Sequence, residues 1–76
     1  MPLYFFDVRV NGAGEPDGEG VIFDHPEAAI AEAQRVAGEL AAEPDGPDRD
    51  VMIGIRSEEG GYFCEVELHI IVRKLG

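Results

Sequence analysis

Between Leu3 and Val10 apolar and polar residues alternate with a period of two. Tyr4, Phe6, Val8 and Val10 fall on one face, and Leu3, Phe5, Asp7 and Arg9 on the other. The first set is wholly apolar, so the segment predicts a strand with that face on a core. Gly12, Gly14, Pro16, Gly18 and Gly20 then interrupt any regular element. Residues 11–20 read as an acidic loop or wide turn, followed by a brief strand at Val21-Ile22-Phe23. After that the period changes to that of a helix: Ala29, Ile30, Ala33, Val36, Ala37 and Leu40 line one side. Asp24 is placed to cap this helix, with Glu27 three residues on in the spacing of a capping box. Pro26 falls in the first turn, where its missing N–H does no harm. Pro44, Gly46 and Pro47 end it, and 43–50 reads as an exposed acidic loop.

Alternation returns at Val51. Val51, Ile53 and Ile55 share one face of a third strand running to Ser57, with Met52, Gly54 and Arg56 on the other. Glu58-Glu59-Gly60-Gly61 is a hairpin turn signal. A long fourth strand then runs from Tyr62 to Arg73. Its even positions, Tyr62, Cys64, Val66, Leu68, Ile70 and Val72, are apolar; its odd positions are Phe63, Glu65, Glu67, His69, Ile71 and Arg73. The order is ββαββ in a single domain spanning 1–76. One helix covers one face of a sheet, so the expected architecture is a two-layer α+β sandwich with a mainly antiparallel sheet. The helix-facing surface takes Tyr4, Phe6, Val8, Ile53, Ile55, Cys64, Val66 and Leu68. The opposite face carries Phe5, Met52, Phe63 and Ile71 among charges. The pattern leaves the strand order open.

Composition narrows the chemistry. With 76 residues the chain has room for one thin core. It carries 16 acidic residues against 6 basic ones, a formal net charge of -10, which phosphate backbones and anionic lipid surfaces repel. That speaks against direct nucleic-acid binding and against a membrane surface. Cys64 is the only cysteine, so there is no disulfide framework, and a reducing compartment suits it. The opening Met1-Pro2-Leu3-Tyr4-Phe5-Phe6-Asp7 has no basic stretch before its apolar run, and later apolar runs such as Ile70-Ile71-Val72 are far too short to span a membrane. A cytoplasmic location is the expectation.

Several features together resemble a known family. Tyr4-Phe5-Phe6 opens a strand and is followed by Asp7. Asp17-Gly18-Glu19-Gly20 gives an Asp-x-x-Gly step after a glycine-rich turn. An alanine-rich helix, Ala28-Ala29 through Glu32-Ala33, precedes a strand and an acidic glycine turn between Val51 and Gly61. This is similar to a family of short alphaproteobacterial proteins that constitute a domain of unknown function. The likeness covers about the first 60 residues. The tail Glu67-Leu68-His69-Ile70-Ile71-Val72-Arg73-Lys74 departs from it. The resemblance implies a fold and no chemistry.

The residues themselves assign no catalytic, cofactor or metal site. Glu15, Asp17, Glu19 and Gly20 partly echo a calcium loop, but Pro26 stands where the bidentate Glu belongs and no helix precedes the loop. His25, His69 and Cys64 are too few for a tetrahedral metal site. Cys64 falls on the apolar side of its strand and reads as a small hydrophobe rather than a nucleophile. Glu65 and Glu67 share a face with Arg9, Arg56, His69, Arg73 and, across the sheet, Asp7; cross-strand ion pairing accounts for that set without catalysis. The leading expectation is a small non-enzymatic interaction or accessory domain that forms a homodimer or binds another protein through its uncovered sheet face or an edge strand. The alternatives are a cation or small-ligand binder using the acidic loop 15–24, an acidic mimic of nucleic acid, and a small enzyme.

Overall fold

The computed structural model describes residues 2–42, 48–73 and 75. Strand β1 spans Leu3–Val10, β2 Val21–Ile22, helix α1 Pro26–Ala41, β3 Arg49–Ser57 and β4 Gly61–Ile70. The strands form one antiparallel sheet in the order β2-β1-β3-β4, with α1 packed on one face. This is the α+β arrangement the alternation predicts, and it supplies the strand order the pattern leaves open. Most of the loop expected at 43–50 lies outside the described residues. Arg49 and Asp50 at its end already pair with Ile70 and His69 in the sheet.

The core sits between α1 and the two strands beneath it. Ala29, Ala33, Ala37, Val51, Ile53 and Ile55 are essentially inaccessible, and Tyr4 joins them. Three alanines one helical turn apart let the helix axis approach the sheet until the β3 side chains meet its backbone surface. Phe6, Val8, Phe23, Ile30, Val36, Leu40, Cys64 and Val66 pack around this centre. Phe23 stands edge-on to Phe6 with ring centroids 6.0 Å apart, so the residue after β2 closes the β1 end of the core.

The entry to the helix departs from the expected cap. His25, with φ -138° and ψ 147°, is the N-cap residue and makes no side-chain cap bond. Pro26 explains this: it is favoured at the first helical position and disfavours helical geometry in the residue before it, which places the boundary at His25 and leaves Asp24 one residue too early. At the other end Arg49 donates from Nη1 to the Leu40 carbonyl at 2.7 Å, covering one of the carbonyls that the last turn leaves unpaired.

Strand β4 is shorter than its pattern suggests, ending at Ile70, and it contains a bulge. Ile55 pairs with Cys64 but Arg56 pairs with Tyr62, so two residues of β4 oppose one step of β3. The extra residue reverses the expected faces at the start of the strand. Tyr62 turns to the uncovered face. Phe63, expected on that face, instead meets the buried Tyr4 ring edge-on at 5.8 Å between centroids. Ile71, also expected there, lies just beyond the strand.

Candidate functional site: the uncovered sheet face

The register sets the rows of the face that α1 leaves open. Phe5 lies opposite Arg56, Asp7 opposite Gly54 and then Glu65, and Arg9 opposite Met52 and then Glu67. At its centre Arg56 reaches diagonally across to Asp7. Nε donates to Oδ2 at 3.0 Å and Nη2 to Oδ1 at 3.2 Å, the forked geometry in which a guanidinium binds a carboxylate most strongly. The guanidinium also lies over the Phe5 ring, 4.5 Å from its centroid. Asp7 accepts two further bonds, from the Tyr62 hydroxyl and from the Asp17 backbone N–H. The fork from Arg56, helped by those two donors, holds the Asp7 carboxyl down to about 2 against the opposing effect of burial.

Asp17 joins the loop to this centre. Its carboxylate accepts from the backbone N–H of Glu19 at 2.9 Å, of Phe6 at 3.1 Å and of Gly20 at 3.3 Å, and these bonds lower its pKa. Its own carbonyl accepts from Arg56 Nη2 at 3.0 Å. β2 pairs with β1 only at Leu3 and Tyr4, so Phe6 would otherwise present an unpaired edge N–H. The Asp17 side chain takes the place of the missing strand. Gly14 presses the same loop onto the sheet: a β-carbon there would fall 1.9 Å from the Val8 carbonyl oxygen.

Tyr62 reaches Asp7 because Gly54 is small. The phenol ring lies across Gly54, where an added β-carbon would stand 3.0 Å from a ring carbon. Beside the ring is an open depression of about 570 Å³ bordered by Asp7, Arg9, Met52, Tyr62 and Glu65. Chemically the centre is saturated. Asp7 is ionised and fully engaged, and its hydrogen bond with Tyr62 raises the Tyr62 pKa above the ordinary phenol value. Neither group is a poised acid or base.

The other residues singled out from the sequence are dispersed. His69 Nδ1 lies 2.8 Å from Asp50 Oδ1, and its Nε2 lies 3.7 Å from Glu67, so Asp50 chiefly raises its pKa. His25 is at the helix entrance and Cys64 is half-buried on the helix side of β4. Glu65 and Glu67 lie in the rows of Asp7 and Arg9, while Arg73 follows the end of the strand. Among the described residues no group of three or more His, Cys, Asp or Glu side chains is placed to hold a metal ion. The pairing of Asp7 with Arg56 was readable from the shared face. Asp17 and Tyr62 were not: one arrives from a loop, the other through a bulge that strict alternation conceals.

The fold and this face define a two-layer α+β domain with a half-covered antiparallel sheet. The chain belongs to the family described as a domain of unknown function (DUF6894), whose model matches residues 3–69. The match takes in Glu67, Leu68 and His69 and so runs past the point where the tail was expected to diverge. No curated protein and no solved structure matches the chain. Its function is unknown. No helix among the described residues is long and apolar enough to cross a membrane.

Proposed function

We propose that the chain is a non-enzymatic interaction domain of the bacterial cytoplasm, which binds a second copy of itself or another protein through the uncovered sheet face or, as the observations favour, the β4 edge strand. One contrast carries the reading. The charged groups at the centre of the open face are tied to one another, whereas the larger share of the exposed apolar residues lies along β4 and its continuation, Phe63 at 44%, Leu68 at 37%, Ile71 at 64% and Val72 at 54% accessible, against only Val21 and Ile22 on the two-residue edge strand β2. Apolar side chains concentrated beside an unpaired strand edge are a frequent mark of a protein-binding surface. The acidic loop supports cation binding less well, because Asp17 already directs its oxygens at backbone N–H groups.

Gel filtration with light scattering, together with capture from native lysate by the immobilised chain, tests this. A self-associated protein, or a specific partner lost on changing Leu68 and Ile71 to Ser, supports it. A strict monomer that captures nothing, or turnover in a broad hydrolase and transferase screen, would sink it.

A further inference from the structure

The sheet has two ends, and they are unlike. At one end β2 offers only Val21 and Ile22, and the rest of β1 beyond it is closed by the 11–20 loop through Asp17, Gly14 and the Val10–Ala13 bridge. At the other end β4 runs for ten residues, and no described segment pairs with its outer side. An open edge of this length is a template for another strand. Its side chains specify which one. On the helix side Cys64, Val66, Leu68 and Ile70 are all apolar, and Val72 continues the row. On the open side Glu65, Glu67 and His69 follow one another.

Resting on the interaction reading, we propose that the partner of this edge is β4 of a second copy, paired antiparallel about a twofold axis at Leu68. In that register Leu68 faces itself, Val66 faces Ile70 of the other copy, and Cys64 faces Val72, an unbroken apolar ladder beside the two helices. Glu67 then lies opposite the other copy's His69, and His69 opposite its Glu67. The charges select this register. Sliding the strands by one pairing step in either direction sets Glu67 against Glu67 or His69 against His69, and like charges directly opposite destabilise a sheet. A slip of half a step would place the two helices on opposite faces and set Leu68 against Glu67 or His69. Six of the 16 acidic residues lie off this edge in the 15–24 and 58–59 stretches, where salt screens their opposition to the pairing; Glu65 and Glu67 lie in β4 itself, and Asp50 stands beside it, 2.8 Å from His69. Ile71 and Val72, exposed beyond the end of β4, become strand residues opposite Glu65 and Cys64 of the second copy.

The test uses the full chain. On a Cys64→Ala background, Leu68→Cys should form a disulfide-linked dimer under mild oxidation. Val66→Cys and Ile70→Cys should each remain unlinked alone and become linked to one another when mixed. Glu67→Lys, at an exposed position that leaves the core intact, should weaken the dimer about tenfold by light scattering, because both Glu–His pairs become like-charged. A dimer in which Leu68→Cys stays reduced while Val66→Cys links to itself overturns the register but leaves the interaction reading standing. A chain that stays monomeric at millimolar concentration overturns the proposal, and partner capture then decides the wider reading alone.

Discussion

Arg56 grips Asp7 across the two central strands, with Nε and Nη2 at 3.0 and 3.2 Å from its two carboxylate oxygens. The Asp7 side chain is only 11% accessible, so the pair is partly shielded from water. Folding holds the Asp7 carboxyl at about 2 against an ordinary 3.8. A depressed folded-state pKa contributes stability that is fully present above the unfolded value and lost as pH falls through the folded one. About 2 kcal/mol should therefore disappear between roughly pH 4 and pH 2. Denaturant midpoints measured across that window should fall in the native chain. They should show a smaller drop in Asp7→Asn, which starts about 1–3 kcal/mol less stable at neutral pH because Arg56 loses its charged partner.

Replacing Asp17 by Ala removes the acceptor for the amides of Phe6, Glu19 and Gly20. Hydrogen exchange at those three amides should accelerate by at least about tenfold, and stability should fall by about 1–2 kcal/mol. Amides of Ile53 and Ile55 should slow or hasten only with global stability. Unchanged exchange at Phe6 would show that the loop is held by something other than this carboxylate.

Gly54→Ala places a methyl 3.0 Å from the Tyr62 ring. The ring should swing away and its hydroxyl leave Asp7. The Tyr62 pKa, now raised by that hydrogen bond, should return toward the ordinary phenol value. Ultraviolet phenolate titration on a Tyr4→Phe background reads this directly. A Tyr62 titration that Gly54→Ala leaves unmoved would mean the methyl is accommodated elsewhere.

The helix–sheet spacing predicts the cost of filling it. Ala33 is completely inaccessible against β3. Ala33→Leu inserts three carbons with no void to receive them and should destabilise by about 1–3 kcal/mol or more. Ala31→Leu on the exposed side of α1 should leave the melting temperature nearly unchanged. Equal behaviour of the two would contradict the close approach of the helix.

The strands and the helix were legible because each buries one face, and burial writes a period of two or 3.6 into the chain. Ile53 and Ile55 could sit nowhere else. The helix start was misplaced by one residue because Asp24 has the right chemistry, yet Pro26 fixes the geometry. The centre of the open face was half legible. Asp7 and Arg56 share a face, which alternation reveals. Asp17 belongs to a loop, where no period operates, and its role depends on β2 being too short to pair with Phe6. Tyr62 and Phe63 were exchanged because a bulge breaks the period at the point where it is being read. The only trace of this in the sequence is Gly54, a strand glycine that leaves room for a ring from the neighbouring strand.

That bulge works as a frameshift in side-chain address. From Cys64 onward β4 obeys one parity, and at Tyr62 it obeys the other, so the hairpin delivers two adjacent aromatic rings to opposite sides of the sheet. Removing one residue between Gly61 and Cys64 would restore a single parity and oblige one ring to give up its place, either beside Tyr4 in the core or over Gly54 on the open face. The length of this stretch is therefore fixed by the two rings it delivers, a count that one irregular residue imposes on the whole tip.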